Sequence, residues 1–465
     1  MTLRERFAAA ASSESGVIFT LGFLVGFPHF FYADLAWQLA EGRSLWNGTF
    51  PIALPEAISA GPWIDHEWLF EAVAWPFWAH GAWPVFAALC TALVAAVPVA
   101  AVAIARRCGA TPFAANAVGY LTIASAVTAY AVRPQSIAEC CFALTLFLVL
   151  GPLRRPWLLF PLTVLWANVH GSVVLAPVTI LVVAAGEWIR GGTAPRKLFE
   201  AAAWALAGSF VTPHGFGTWS SAVAIASRSE IGTIAEWQPV SFAYPIEFFV
   251  LVAYGVPLVL GGVPFERPNA TALLLLATFA PLWLLEARFL PFFGIAAIPA
   301  LAIAIARAQV YLRRRRPARA EAHASALLIA PLAVAIIVAA VFFAPATLRL
   351  DREVRATDDL VRTENFRGRL FAPFPAGGYL QLREEPVLVL LDSHALPFGP
   401  AVWHDYATID AARVGWREAL AHYRITGVVA AEGSALAAAL GAAGGWHVAG
   451  STSGELLFVR THGAT

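Results

Sequence analysis

Long apolar stretches alternate along this chain with short polar or arginine-bearing connections. A helix needs roughly 20 apolar residues to cross a bilayer, because backbone N–H and C=O groups must bond within the segment where water is absent. On that template the sequence predicts crossings near 14–33, 83–105, 111–131, 136–153, 156–170, 171–188, 198–212, 246–264, 269–286, 289–308 and 325–344. The stretch from Trp68 to His80 is too short to span. It is read as an interfacial or re-entrant helix, with Trp68, Trp75 and Trp78 suited to the headgroup level. Beyond residue 350 the pattern changes to short strands at Arg369–Ala372, Val387–Leu391, Gly427–Ala430, Trp446–Ala449 and Leu456–Arg460. Helical stretches at Ala411–Tyr423 and Ser434–Ala443 lie between them. Such alternation predicts a small α/β layer domain. The expected fold is mainly α: a polytopic transmembrane helix bundle of about eleven crossings over 1–349, with outer loops 34–82 and 213–245, followed by a C-terminal α/β extracytoplasmic domain at 350–465.

Basic residues orient this scheme. Arg4 and Arg6 precede the first crossing, and Arg106 and Arg107 follow the second. Arg154 and Arg155 follow the fourth, Arg190, Arg196 and Lys197 the sixth, Arg267 the eighth, and Arg313 to Arg316 the tenth. All fall on one side, which the positive-inside rule makes cytoplasmic. The N-terminus is therefore expected inside and the C-terminal domain outside. The first apolar stretch is long enough to remain as an anchor rather than a cleaved signal.

Composition supports a membrane class. Hydrophobic residues make up 59% and charged residues 13% of the chain, against roughly 25% charged in soluble domains. The net charge of +1 gives no field for a nucleic-acid partner. Lys197 is the only lysine and Met1 the only methionine, among abundant Ala, Arg, Gly and Trp. That bias suggests a GC-rich bacterial genome, and with it the bacterial inner (cytoplasmic) membrane. Cys90, Cys140 and Cys141 lie in apolar runs, Cys108 follows an Arg-Arg pair, and none falls in the expected outer domain. They read as buried apolar cysteines rather than disulfides.

Ionisable and amide residues at membrane depth mark function by default. Here they gather at predicted outer ends and loops: Asp34, Asp65, His66, Glu67, Arg133, Gln135, Asn168, His170, His214, Glu236, Glu286 and Arg288. Each has a plainer reading. Asp34 can be a solvated helix-end carboxylate. Asp65 or Glu67 can cap the helix starting near Trp68. Arg133 and Arg288 can snorkel to headgroups, His170 and His214 can pack, and Glu236 can be a loop residue. Together they suit another chemistry. Carboxylates can activate an acceptor hydroxyl or amine, arginine forks can hold a phosphate leaving group, and carboxylates can bind a divalent cation. Motifs for a cytosolic nucleotide are missing: there is no Walker loop, and also no HExxH, CxxC pair or GxSxG. A lipid-phosphate-linked donor, presented from the outer leaflet, fits better.

The segments YADLAWQLAEGRSLWNGTFP, GPWIDHEWLFE, VRPQS, WANVHGS, TPHGFGTW, IAEWQP and EARFLPFFGIAAIP resemble a group of bacterial polytopic membrane proteins. That group is similar to the GT-C superfamily of membrane glycosyltransferases, which includes protein mannosyltransferases and the aminoarabinose transferase of lipid A. FAPFPAGGYLQL, VLVLLDSHALPF, WREALAHYRITGVVA, GWHVAG and LLFVR continue the resemblance into the tail. It implies a catalytic carboxylate just after the first crossing, at Asp34, a second acidic site at Asp65 or Glu67, and interfacial helices in the first loop. Many relatives carry an acidic pair at the first site; here Leu35, Ala36 and Trp37 follow Asp34.

The expected function is transfer of a sugar from a polyprenyl-phosphate-linked donor to an envelope glycan, lipid or protein acceptor on the extracytoplasmic side. Asp34, Asp65 and Glu67 are the expected catalytic residues. Arg133 and Arg288 hold donor phosphate, and His66, Gln135, His170, His214 and Glu236 orient substrate. Asp34 and Asp65 are the candidate ligands for a divalent cation, Mg or Mn. The alternative is a non-catalytic envelope assembly, glycolipid-binding or transport protein. In the tail, Asp392 follows a strand, where α/β sheets often bind ligands, and Gly377 and Gly378 sit in an expected turn. A domain that only caps the site is the competing reading.

Overall fold

The computed structural model describes residues 14–26, 34–50, 54, 57–126, 132–226, 234–241, 245–315 and 352–461. Helices come first: α1 (Glu14–Gly26), α2 (Leu35–Trp46), α3 (Trp68–Ala79), α4 (Trp83–Arg107), α5 (Pro112–Ala126), α6 (Pro134–Val149) and α7 (Leu159–Ala167). They continue with α8 (Leu175–Gly191), α9 (Arg196–Ser209), α10 (Gly217–Ala226), α11 (Pro245–Gly261), α12 (Ala270–Leu285), α13 (Leu290–Ala296) and α14 (Ile298–Arg315). After α15 (352–363) come β1 (Gly368–Phe371), α16 (Ala376–Leu382), β2 (Val387–Val389), α17 (Pro400–Asp410) and α18 (Trp416–His422). The chain ends with β3 (Gly427–Ala431), α19 (Ala435–Ala442), β4 (Trp446–Thr452) and β5 (Glu455–Arg460). The protein is mainly helical with a small C-terminal sheet.

The count of about eleven crossings is not confirmed by the structure. Among the described residues, Trp83–Arg107, Gly171–Gly191 and Arg267–Leu285 are long and apolar enough to cross a membrane. A fourth span exists if Ala287–Ala296 and Ile298–Tyr311, which meet at 61°, count as one. The segment 325–344 lies outside the described residues. Elsewhere apolar runs fold into shorter helices such as Pro156–Ala167. At 1.5 Å per residue such a helix rises about 18 Å, well short of the roughly 30 Å hydrocarbon core. The expected crossings at 156–170 and 171–188 meet where Asn168 closes the first helix and His170 caps the short turn that follows.

The chain forms two compact units. The first holds Met1–Phe30, Pro84–Val223 and Gly232–Ala344. Its core is one apolar cluster that includes Ile104, Phe142, Trp166, Phe279, Phe292 and Leu301, all at most 3% exposed. Small residues let these helices approach closely. A Cβ on Gly186 of α8 would lie 2.4 Å from Thr271 of α12, and one on Gly208 of α9 would lie 2.5 Å from the Phe160 carbonyl of α7. Such contacts replace the hydrophobic driving force that lipid cannot supply between helices.

The second unit holds Phe31–Trp83, Ala224–Ile231 and Pro345–Thr465. The C-terminal sheet therefore folds with the first loop. Its strand order is β2-β1-β3-β5-β4, with β1 parallel to β2 and β3, and β5 antiparallel to β3 and β4. The five strands lie where the pattern predicts them, while α17 was not anticipated. Leu360, Leu370, Leu380, Val389, Val429 and Leu457 form the core of this layer. The loop joins the sheet through backbone bonds from Ile58 to Val389 (2.8 Å) and Gly61 to Pro397 (2.7 Å).

Candidate functional site

In the second unit, Asp34 stands at the N-terminal boundary of α2, half-buried, and its side chain makes no capping bond to that helix. Asp34, Gln38 and Glu41 recur at i, i+4 and i+7, so they share one face of α2. Gln38 donates to Glu67 (2.8 Å). Asp65 accepts from the Glu67 backbone N–H (3.0 Å), and Glu67 occupies the boundary of α3 without a side-chain cap bond. Asp65 thus bonds the backbone just ahead of α3, and the carboxylate of Glu67 is turned to Gln38 and His66, whose Nε2 lies 3.7 Å away. One turn on, Glu71 is fully buried.

These acids are crowded and dry. Burial pushes the Asp65 carboxyl up to about 7, with Glu41 and Glu67 adding to the shift and the Glu67 N–H opposing it. Burial also raises Glu71 well above the carboxylate range, reinforced by Asp65, Glu41 and Glu67. Neighbouring carboxyls this enclosed hold a proton near neutral pH. Among the described residues no group of three or more His, Cys, Asp or Glu side chains has an arrangement that could hold a metal ion.

A second polar knot fixes the same helix. His394, after β2, places Nδ1 2.9 Å from Asp392 and Nε2 3.5 Å from Glu41. Its ring packs on Trp37 (4.3 Å between centroids) and edge-on to Trp63 (5.2 Å). Burial opposes charge on His394, but Asp392 and Glu41 outweigh it and raise the imidazole to about 10. Gln381 donates to Glu41 (3.1 Å), and Arg43 donates to the carbonyls of Leu382 and Gln381. Asp392 is engaged inside the unit. Tyr406 of α17 covers the end of β1. Its ring stacks on Phe371 and its hydroxyl accepts from the Phe374 N–H.

In the first unit three sequence motifs converge. Arg133, ahead of α6, donates through Nη1 and Nη2 to the Glu236 carboxylate at 3.2–3.3 Å. Arg288 lies over the Trp237 ring, 3.7 Å from its centre. The 234–241 segment is held by backbone bonds Ala287 to Gln238 (3.0 Å) and Val240 to Leu284 (3.2 Å). Burial alone would raise Glu236, but Arg133 and Arg288 together bring its carboxyl below the usual range. Of the other expected residues, Gln135 donates to Glu139 (3.4 Å). His170 accepts from the Ser172 N–H (3.1 Å) and contacts the Ser172 hydroxyl, a local cap. The His214 N–H donates to Thr212 Oγ1 (3.0 Å). Glu41, Glu71 and His394 were not singled out from sequence. The Glu67/Glu71 and Asp34/Gln38/Glu41 spacings were the available signals.

No protein-family model matches the sequence, and no curated protein matches it. The fold does have solved counterparts. Oligosaccharyltransferase AglB of Archaeoglobus fulgidus, in complex with an inhibitory peptide and a dolichol-phosphate, aligns with a TM-score of 0.60 at 10% identity, over 97% of this chain and 75% of its own. The A. fulgidus oligosaccharyltransferase tethered to an acceptor peptide containing the NVT sequon aligns at 0.59 and 10% identity, over 98% and 75%. ArnT from Cupriavidus metallidurans, bound to undecaprenyl phosphate, aligns at 0.54 and 16% identity, over 97% of this chain and 98% of its own. The chain has a GT-C-like fold. The GT-C resemblance seen in the motifs therefore extends over nearly the whole chain in three dimensions, and at these identities it concerns the fold.

Proposed function

We propose that this protein is a membrane glycosyltransferase that transfers a sugar from a polyprenyl-phosphate-linked donor to a cell-envelope acceptor on the extracytoplasmic side. The observation that carries this reading is the convergence of Arg133 and Arg288 on the Glu236–Trp237 turn. Two guanidinium groups, one oriented by a carboxylate and one by an indole face, suit a phosphate leaving group. The lipid phosphates bound by the AglB and ArnT structures support a donor of that class.

In this reaction Asp34 takes the proton of the acceptor hydroxyl or amine. The acceptor atom bonds to the anomeric carbon as the bond from that carbon to the phosphate oxygen breaks. Arg133 and Arg288 stabilise the departing polyprenyl phosphate. Asp65 and Glu67 assist by fixing the α2–α3 turn, with His66 beside Glu67. Gln135, His170, His214 and Glu236 orient groups around the arginines. A divalent cation at Asp34 and Asp65 fits poorly: Asp65 is enclosed and inclined to keep its proton, so no step is routed through a metal. The C-terminal sheet acts as a scaffold for α2, because His394, held by Asp392, is engaged by Glu41.

Deletion of the gene tests the proposal. Lipid-linked sugars should accumulate in the membrane, identified by mass spectrometry, while an envelope glycan loses its modification. An unchanged pool of lipid-linked sugars and an unchanged envelope would remove the proposal.

A further inference from the structure

One end of the first unit carries a cavity unrelated to the arginines described above. Its volume is about 700 Å³. Four cations, Arg107, Arg154, Arg190 and Lys197, line it with a single acid, Glu187. That acid is already neutralised: it pairs with Arg190 and accepts from the Thr271 hydroxyl (2.9 Å). Arg107 is fixed by its carbonyl bond to Phe147 and by the ring beneath it, 3.3 Å away. Among the described residues, Arg154 and Lys197 enter no ion pair, and both are exposed.

The position of the cavity indicates the source of its ligand. Among the described residues, each of the three helices long enough to cross a membrane has an end there. Arg107 ends Trp83–Arg107, Arg190 lies in the last turn of Gly171–Gly191, and Thr271 lies in the first turns of Arg267–Leu285. The flanking Trp188, Ile189 and Phe199 expose apolar surface (51%, 48% and 39%), with Trp188 edge-on to Phe199. Aromatic side chains beside cations at the end of apolar helices mark the headgroup level of a bilayer. Basic pockets between membrane helices suit phosphate headgroups.

We propose that this cavity binds the phosphate headgroup of an anionic membrane phospholipid, held by Arg107, Arg154 and Lys197. The site does not depend on the glycosyl-transfer reading. Its ligand is a resident lipid rather than a substrate.

The test uses the full chain, reconstituted in nanodiscs of equal parts phosphatidylglycerol and phosphatidylcholine, with retained lipid read by native mass spectrometry. Two double variants are compared, Arg154→Gln with Lys197→Gln and Arg155→Gln with Arg196→Gln. Arg155 and Arg196 are exposed sequence neighbours that do not line the cavity, so both variants lose the same charge. At about fivefold per charge near a membrane surface, the first should retain phosphatidylglycerol about 25-fold more weakly, and the second should match wild type. Should the first double variant fail to fold, Arg154→Gln alone should show about a fivefold loss. Equal retention in both variants, or equal loss in both, would overturn the site in favour of diffuse surface charge. Displacement of the lipid by inorganic phosphate at millimolar concentration would overturn the lipid assignment in favour of a soluble anion.

Discussion

Glu41 and His394, more than three hundred residues apart in sequence, face each other at 3.5 Å in the second unit. His394 is charged at neutral pH because Asp392 and Glu41 flank it where water cannot. Removing one member of a buried ion pair leaves the others uncompensated and costs about 3–5 kcal/mol. His394→Ala should lower the thermal midpoint of the detergent-solubilised protein and expose the first loop to protease. An unaltered midpoint would show that the pair does not hold α2.

The same groups set a pH dependence. Asp65 binds its proton with an affinity near pH 7 in the folded state, against an ordinary value of 3.8. The folded chain therefore holds more protons than the unfolded one between these values, and stability falls as pH rises through that window. His394 acts in the same direction at higher pH. Its contribution is complete below its ordinary 6.5 and is lost as pH rises through about 10. Unfolding midpoints should decline from pH 4 to 7 and again towards pH 10. In Asp65→Asn the first decline should flatten, whereas an unchanged slope would place the shift elsewhere.

Close packing of α2 on α3 rests on Gly42. A Cβ there would stand 2.4 Å from the Glu71 carbonyl oxygen and 3.0 Å from Trp75 Cβ. Gly42→Ala should therefore cost about 1–3 kcal/mol by overpacking. Gly441 on α19 meets nothing within 4 Å, and Gly441→Ala should be neutral or slightly stabilising. Comparison of the two midpoints separates crowding from a general effect of alanine.

Arg133 grips Glu236 through both terminal nitrogens. Lysine cannot reproduce that fork, so Arg133→Lys should weaken polyprenyl-phosphate binding about tenfold or more while leaving the fold intact. Trp237→Ala removes the ring under Arg288 and should reduce binding less, since a half-buried cation–π contact contributes about 1 kcal/mol. Titration with undecaprenyl phosphate, followed by tryptophan fluorescence for Arg133→Lys and by calorimetry for both variants, reads these changes.

Period and composition carried much of the architecture. The strands at 368–371, 387–389, 427–431, 446–452 and 455–460 follow short apolar patterns bounded by turns, and the helix at Trp68–Ala79 follows its short apolar run. The arginine site was visible as three motifs because each bears a rare charge in an apolar context. Helix ends were not visible. Hydropathy reads residues 156–170 as a crossing, yet the helix there ends at Ala167. Glu41 and Glu71 carry no signal in the sequence beyond their spacing because each sits in an ordinary helical repeat, and only tertiary packing brings Glu41 to His394 and Gln381.

The central claim is sugar transfer with Asp34 as the acceptor-activating base. Its most direct measurement is transfer by the purified, reconstituted protein, with radiolabelled polyprenyl-phosphate sugar and an envelope extract as acceptor. Wild type should label the acceptor, and Asp34→Asn should slow labelling by about 10²-fold or more, the usual contribution of a general base, with donor binding unchanged. Labelling by Asp34→Asn at the wild-type rate would contradict the account.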